Sequence, residues 1–149
     1  MLGPHLDGAF FLDLYAGTGI VTCEALSRGA ARAWLVERDR RMGALILANL
    51  TALEVAGRGE LLALPAEAAI RRLAERGVAC SVAWCDPPFA AWHEGVAVLA
   101  LAVRLGVLAA GALCVVELSP RATLELPGLE IARHLRGAVL TRVATGSHP

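Results

Sequence analysis

Short apolar runs alternate along the chain with stretches in which apolar residues recur every three or four positions. A continuous apolar run that stops at Gly or Pro is typical of a buried strand, whereas the three-to-four spacing is typical of a helix with one apolar face. The strands predicted in this way cover residues 9–14, 33–36, 60–64, 82–85 and 112–118. The helices predicted between them cover residues 20–28, 39–53, 65–76 and 96–105.

The last part of the chain, residues 129–143, predicts two more strands that fold back on each other at Gly137. Apolar strands that alternate with helices indicate a parallel sheet covered on both faces. The predicted fold is therefore α/β, a doubly wound sandwich with a seven-stranded, mainly parallel sheet and an antiparallel last strand. Because no repeat or long linker interrupts the pattern, we expect a single domain over residues 1–149.

Composition narrows the class of protein. The chain has 149 residues and 56% apolar residues, which excludes a disordered chain. The most apolar stretch, residues 95–116, is interrupted by Arg104, Gly106 and Gly111, so a buried segment fits it better than a membrane span. The first residues do not have the pattern of a signal peptide, so we expect a cytoplasmic protein. The four Cys form no CxxC pair and the four His lie far apart, so no metal site is predicted.

Charge argues against broad, non-specific binding to nucleic acid, because 14 basic residues, all of them Arg, balance 14 acidic ones. A local basic patch remains compatible with this balance. The candidates for contact with phosphates are Arg28, Arg32, Arg38, Arg40 and Arg41. The alternative is a solvated helix edge balanced by Glu37 and Asp39.

The segment Asp13-Leu14-Tyr15-Ala16-Gly17-Thr18-Gly19 lies at the first predicted strand-to-helix turn. Two glycines allow a ligand to approach the backbone closely, and a helix N-terminus offers free N–H groups. A tight turn without a ligand is an equal alternative. Thr22 replaces the third glycine of a dinucleotide fingerprint, which disfavours NAD and FAD. The chain has no Lys for a phosphate-binding Walker loop, which disfavours ATP hydrolysis.

Glu37 follows the second predicted strand, eighteen residues after Gly19. In doubly wound nucleotide-binding proteins an acid at this position accepts hydrogen bonds from ribose hydroxyls. The alternative is a solvated acid paired with Arg38 or Arg40.

The segment Asp86-Pro87-Pro88-Phe89 directly follows the fourth predicted strand, at the edge where open α/β sheets bind ligands. The prolines remove two N–H donors and leave carbonyls free to accept. Together with the Asp86 carboxylate and the Phe89 ring, this set suits a planar base that carries an exocyclic amino group. The alternative is a rigid turn whose Phe packs into the core.

These elements in this order resemble the class I S-adenosylmethionine-dependent methyltransferases, which have a Rossmann-like fold. The segments LDLYAGTG, EALSRGA, VERD and DPPF resemble more narrowly the RsmD family, which methylates the exocyclic N2 of a guanine in 16S ribosomal RNA. The resemblance implies that Asp13, Gly17 and Gly19 lie against the methionine end of the cofactor, and that Glu37 holds its ribose. The full set of expected cofactor-binding residues is Asp13, Tyr15, Gly17, Thr18, Gly19, Glu37, Arg38 and Ala66. The expected catalytic residues are Asp86, Pro87 and Phe89.

The sequence departs from the family pattern in three places. The first predicted strand begins at Ala9, so we expect either that the chain is truncated or that the family's basic N-terminal arm is lost. The third strand is followed by Leu64-Pro65-Ala66 instead of a Gly-Asp pair, which leaves the backbone or Glu67 to contact the adenine. The closing hairpin around Gly137 lacks the expected aromatic-Gly pair.

The predicted chemistry is the transfer of a methyl group to a base amine whose hydrogens are accepted by Asp86 and the Pro87 carbonyl. The expected partner is 16S ribosomal RNA, within the small subunit or its precursor, and the expected state is a monomer. Alternative substrates are another nucleobase or a protein amide. The enzymes that methylate glutamine, however, have a segment that resembles Asn-Pro-Pro-Tyr rather than Asp-Pro-Pro-Phe. A non-catalytic cofactor- or RNA-binding accessory domain and a Rossmann-like domain with another nucleotide ligand also stay open.

Overall fold

The structure, a computed structural model, describes residues 2–117 and 125–145. The helices are α1 (Gly3–Leu6), α2 (Ile20–Ser27), α3 (Arg40–Ala52), α4 (Ala66–Glu75) and α5 (Trp92–Arg104). The strands are β1 (Phe10–Leu14), β2 (Arg32–Val36), β3 (Gly59–Leu62), β4 (Cys80–Cys85), β5 (Leu108–Glu117), β6 (Leu129–Leu135) and β7 (Ala138–Val143). Two short 3-10 turns cover Ala56–Arg58 and Phe89–Ala91.

All seven strands form one sheet in the order β3-β2-β1-β4-β5-β7-β6. The neighbouring strands from β3 to β5 pair in parallel, whereas β7 pairs antiparallel with both β5 and β6. The predicted α/β fold with a mainly parallel sheet and an antiparallel last strand is confirmed. Leu14 lies opposite Val36 and Cys85, and Cys85 lies opposite Val116. The carboxyl ends of these four strands therefore meet at one edge of the sheet.

The two faces of the sheet carry separate apolar cores because successive side chains of a strand point to opposite faces. One core joins Leu12 and Leu14 of β1 to Ile70 of α4 and Leu99 of α5. The other core joins apolar residues of the remaining helices to the opposite face of β1 and β2, and its members include Phe11, Leu26, Leu35, Ile46 and Leu50. Helices thus cover both faces, as a doubly wound sandwich requires.

The boundaries of the strands differ most from the sequence pattern at β5. The pattern predicts that this strand begins at residue 112, but it begins at Leu108. Gly111, with φ of +77°, interrupts the apolar run. The sheet accommodates this glycine because the register of β5 against β4 shifts between Cys80 and Val82. The predicted end of this strand at Leu118 lies outside the described residues. The predicted turn at Gly137 is confirmed, since Leu135 pairs with Ala138.

Within residues 2–117 and 125–145, every helix is too short or too polar to cross a bilayer. The same residues contain no group of three Cys, His, Asp or Glu side chains arranged to hold a metal ion.

Candidate functional site

The segments that follow β1, β2, β3 and β4 line one cavity of about 580 Å³ at the carboxyl edge of the sheet. Tyr15 follows β1, Glu37 and Arg38 follow β2, and Leu64 and Ala66 follow β3. On the other side the cavity is bounded by residues 86–89 after β4, which we name the DPPF segment, and by Glu117 at the end of β5. The topology thus brings part of the predicted cofactor group into one cavity with the predicted catalytic group; the shared lining residues are Tyr15, Glu37, Arg38, Ala66, Asp86, Pro87 and Phe89.

Residues 15–19, which we name the glycine loop, are tied to Glu37 by hydrogen bonds. The Gly17 N–H donates to Glu37 Oε1 at 2.9 Å, and the Asp39 N–H donates to Glu37 Oε2 at 3.0 Å. The side-chain amide of Asn49 donates to the Thr18 carbonyl at 2.9 Å. Among the described residues, Glu37 forms no ion pair with an arginine. The alternative of a solvated acid paired with Arg38 or Arg40 is therefore wrong.

The two glycines of the loop serve different purposes. Gly17 has φ of +59°, and a Cβ built on it would meet nothing within 4 Å. Gly19 has φ of +79°, but a Cβ there would lie 3.2 Å from side-chain atoms of Ile46 and Leu35. Gly19 therefore allows α2 and α3 to pack closely on β2, whereas Gly17 leaves open space beside the loop. Neither glycine nor Thr18 is among the residues that line the cavity.

Asp13 lies beneath the glycine loop rather than in the cavity, with 1% of its surface exposed. Its Oδ2 accepts a hydrogen bond from the Thr22 hydroxyl at 2.7 Å. Burial raises the pKa of Asp13 to about 7, although the hydrogen bonds from Thr22 lower it. Asp13 therefore fixes the first turn of α2 and the loop above it.

Tyr15 holds a strained position at the start of the glycine loop. Its φ is +62°, which is uncommon for a bulky residue and marks a place where the surrounding structure imposes the conformation. Its hydroxyl is buried, and no described residue hydrogen-bonds to it. Burial raises the pKa of Tyr15, so the phenol stays neutral and its O–H can donate.

The residues that follow β3 form a mostly apolar wall of the cavity, with Leu64 and Ala66 facing it. Pro65 occupies the N-cap of α4, as the sequence predicts, and buried Ala66 begins that helix. The first backbone N–H groups of a helix have no partner within the helix, so they are available at this wall. Glu67, the other candidate for an adenine contact, instead binds Arg71 on the exposed side of α4 at 3.1 Å.

The DPPF segment is rigid in its backbone and exposed in its side chains. Asp86 is exposed, and its backbone N–H donates to the Leu14 carbonyl at 3.4 Å. Pro87 packs on Gly95, where a Cβ would lie only 2.6 Å from Pro87 Cγ. Phe89 is 74% exposed. The alternative in which this Phe packs into the core is therefore wrong, and its ring is available to a ligand.

Glu117 is a residue of the site that sequence reasoning missed. It ends β5 beside Asp86, and both side chains line the cavity. The pKa of Glu117 is raised to about 7, first by burial and then by the Asp86 carboxyl, whereas the Trp84 side chain lowers it. The available signal was an acid at the end of an apolar strand, which is the same signal that identified Asp86.

The five candidate arginines are separated by the fold. Arg28 is the C-cap residue of α2 and pairs with Glu24 at 2.8 Å, and Arg32 begins β2 and lies 3.7 Å from Glu60. Both positions lie at the amino edge of the sheet, opposite the cavity. Arg38, Arg40 and Arg41 follow β2 at the cavity edge and are exposed.

Solved structures with a similar fold include proteins described as methyltransferases. The structure described as "Putative methyltransferase yhhF from Escherichia coli" superimposes with a TM-score of 0.80 and 31% identity, covering 97% of this chain and 81% of that chain. The family model described as "Conserved hypothetical protein 95" matches residues 1–139, and the chain belongs to this family, the RsmD family. The resemblance in the sequence is thereby confirmed.

Two curated relatives have names that state an activity. The "Putative rRNA methyltransferase YlbH" of Bacillus subtilis (strain 168) is 36% identical over 89 residues, which are 60% of this chain and 48% of that protein. The "Ribosomal RNA small subunit methyltransferase D" of Escherichia coli (strain K12) is 38% identical over 88 residues, which are 59% of this chain and 42% of that protein. The chain thus spans about half the length of the curated relatives that it matches.

Proposed function

We propose that this protein transfers a methyl group from S-adenosylmethionine to the exocyclic N2 of a guanine in 16S ribosomal RNA. The observation that carries the proposal is the single cavity in which Tyr15 and Glu37 face the DPPF segment. The names of the curated relatives support ribosomal RNA as the substrate. The small ribosomal subunit or its precursor is the proposed partner, and the monomeric state and the cytoplasmic location stay predictions.

The residues of the cavity fit the cofactor. The Tyr15 hydroxyl is a buried polar atom without a described partner, and the space beside Gly17 is open. Each Glu37 oxygen accepts one backbone N–H and keeps a lone pair for a ribose hydroxyl. Val36, Leu64 and Ala66 supply an apolar wall for a flat base. When bound, S-adenosylmethionine supplies a methyl group activated by its sulfonium.

The DPPF segment is suited to activate an aromatic amine. The lone pair of such an amine is delocalised into the ring, so the nitrogen is a poor nucleophile until its hydrogens are held. The Asp86 carboxylate and the Pro87 carbonyl accept these hydrogens and favour the charge-bearing transition state over the planar ground state. Among the described residues, no donor hydrogen-bonds to the Pro87 carbonyl, so it is free to accept. Asp86 is also placed to take the proton that the methylated nitrogen releases.

Phe89 offers its exposed ring as a stacking surface for the target base. A base within a duplex cannot reach the DPPF segment, so the target nucleotide must be unpaired or flipped out.

The test is the incorporation of tritiated methyl groups into unmodified small subunits and into free 16S RNA, followed by mapping of the modified nucleotide by mass spectrometry. Asp86→Ala is expected to lower turnover by about 100-fold or more, the effect of removing one preorganised group that stabilises developing charge. Calorimetry should show nearly unchanged binding of S-adenosylhomocysteine, because Asp86 lies on the base side.

The matched control is Glu130→Ala, which removes an exposed carboxylate on β6 and should leave turnover unchanged. Full activity of Asp86→Ala would contradict the proposed chemistry. Cofactor binding without any methyl transfer by the wild type would favour a non-catalytic binding domain.

A further inference from the structure

The DPPF segment alone does not choose among bases, because guanine, adenine and cytosine each carry an exocyclic amino group. The atom beside that group differs. Guanine has a protonated ring nitrogen, N1–H, next to its amino group, whereas adenine and cytosine have an unprotonated ring nitrogen that accepts. A site that selects guanine therefore needs a second acceptor beside the one that holds the amine.

Glu117 supplies a second acceptor at the required place. β4 and β5 pair in parallel with Cys85 opposite Val116, so Asp86 and Glu117 occupy adjacent positions at the ends of neighbouring strands. Both side chains line the cavity, and the Asp86 carboxyl is close enough to raise the pKa of Glu117. Two adjacent carboxyl groups match the adjacent N1–H and N2–H donors of guanine.

The backbone of Glu117 is paired within the sheet. Its backbone pairs with Ala138 of β7 on one side, and β4 adjoins β5 on the other. Gly137, which also lines the cavity, immediately precedes Ala138. A group on a strand between two neighbours is held more precisely than one on a loop, which suits a residue that reads a base.

The protonation of Glu117 is compatible with this role. Burial first, and then the Asp86 carboxyl, raise the pKa of Glu117 to about 7, so Glu117 carries a proton over part of the physiological range. A protonated carboxyl group has one O–H that donates and a second oxygen that still accepts. The remaining charged or titratable side chains that line the cavity are Tyr15, Glu37, Arg38 and Glu94.

We infer that Glu117 is a specificity-determining residue that accepts the N1–H of the target guanine while Asp86 holds the exocyclic amine. The inference rests on the proposed function, since it assigns the choice of base at the same site. It predicts that bases with an amino group but without the neighbouring N–H donor are poor substrates.

The experiment compares guanine with 2-aminopurine, which has the same amino group at C2 but no hydrogen on N1. Both bases are placed at the mapped target nucleotide, and kcat/KM is measured for the wild type and for Glu117→Leu. The wild type should prefer guanine, and Glu117→Leu should lower that preference by about tenfold to 100-fold, as expected for the loss of a hydrogen bond to a carboxyl group. A structural defect would slow both substrates and leave the preference unchanged.

Two further variants make the comparison sharper. Glu117→Gln retains a carbonyl that accepts N1–H and an amide that donates to Asp86, so it should keep most of the preference for guanine. Glu130→Leu on β6 makes the same substitution away from the cavity and should behave as the wild type. If Glu117→Leu methylates guanine with the wild-type preference, the inference is overturned while the proposed function stands.

A second measurement does not depend on methyl transfer. The carboxyl carbon of Glu117 is followed by ¹³C NMR in the wild type with S-adenosylhomocysteine, while guanosine or 2-aminopurine riboside is added. A response to guanosine that 2-aminopurine riboside does not produce supports the inference even if RNA is not methylated. An equal response to both nucleosides, or none to either, overturns it.

Discussion

The glycine loop and the DPPF segment lie at the same edge of the sheet, where Tyr15 and the DPPF segment line one cavity, but the two segments are held in different ways. The glycine loop is fixed by polar contacts within the protein, including the bonds from Gly17 to Glu37, from Asn49 to Thr18 and from Thr22 to Asp13. The DPPF segment has an exposed carboxylate and a Phe ring that is 74% exposed. The glycine loop is therefore held in place by contacts within the protein, without a ligand, whereas the DPPF segment presents exposed groups that a ligand can cover.

This difference matches the sizes of the two proposed ligands. A small cofactor can be enclosed, so the atoms that bind it gain from being preorganised. A base that belongs to a large RNA must enter from outside, so its site has to remain open. The prolines of the DPPF segment, with Pro87 seated on Gly95, keep its backbone in place by packing and by their fixed φ angles.

The largest effect is expected from Gly17→Val, which alters the glycine loop itself. A Cβ at this position meets no protein atom, so the packing should be kept, although the positive φ strains the backbone; the branched side chain fills the space beside the loop. Binding of S-adenosylhomocysteine, measured by calorimetry, should be abolished. Gly77→Val is the matched control, because Gly77 also has positive φ, +70°, and open space but lies after α4. Equal affinities of the two variants would remove Gly17 from the site.

The next effect is expected from Glu37→Ala. Losing the hydrogen bonds between a carboxylate and two ribose hydroxyls should weaken cofactor binding by about 1.5–3 kcal/mol, or about one to two decades. Glu37→Gln should weaken it less, because it keeps one accepting oxygen. Glu67→Ala removes an acid near the cavity whose partner is Arg71, and it should bind as the wild type does. If calorimetry gives wild-type affinity for both Glu37 variants, the ribose assignment is wrong.

On the open side, Phe89→Ala should act on the substrate and leave the cofactor alone. Base stacking contributes about 1–3 kcal/mol, so KM for RNA should rise by about five- to 150-fold with little change in kcat. Leu53→Ala, which trims another exposed apolar side chain, should leave KM unchanged. A fall in kcat at unchanged KM would mean that Phe89 positions the reacting groups instead of holding the base.

The sequence alone predicted those parts of the site that can be recognised from a short stretch of neighbouring residues. The glycine loop, Glu37 and the DPPF segment each directly follow an apolar strand, and the rule that ligands bind at the carboxyl edge joins them without a structure. Glu117 also follows this rule, but it ends an apolar stretch interrupted by Gly111, and its partner Asp86 becomes visible only once β4 and β5 are paired.

Two features of the site depend on contacts that local sequence does not reveal. The sequence places Gly19 in a predicted ligand-binding loop. In the structure, a Cβ at Gly19 would crowd the side chains of Ile46 on α3 and Leu35 on β2, so packing requires a glycine there. Arg28 and Arg32 lie close in sequence to Arg38 and Arg41, but strand β2 carries the chain from the amino edge to the carboxyl edge between them. Distance along the chain therefore misrepresents which arginines share a surface.

The smallest effect is expected from the arginines, and it tests whether RNA covers only the cavity edge. Each true phosphate contact changes the slope of log affinity against log salt concentration by about one unit. Arg41 is exposed at the start of α3 beside the cavity, so Arg41→Ala should reduce the steepness of the salt dependence of RNA binding by about one unit. Arg28→Ala makes the same change in charge at the opposite edge, where Arg28 pairs with Glu24, and should leave the slope unchanged. Filter binding of small subunits or free 16S RNA across a salt series measures both slopes. Equal slopes for Arg28→Ala and Arg41→Ala would show that RNA binding does not distinguish the two edges of the sheet. The difference between the glycine loop and the DPPF segment would then apply to the cavity alone and not to the surface around it.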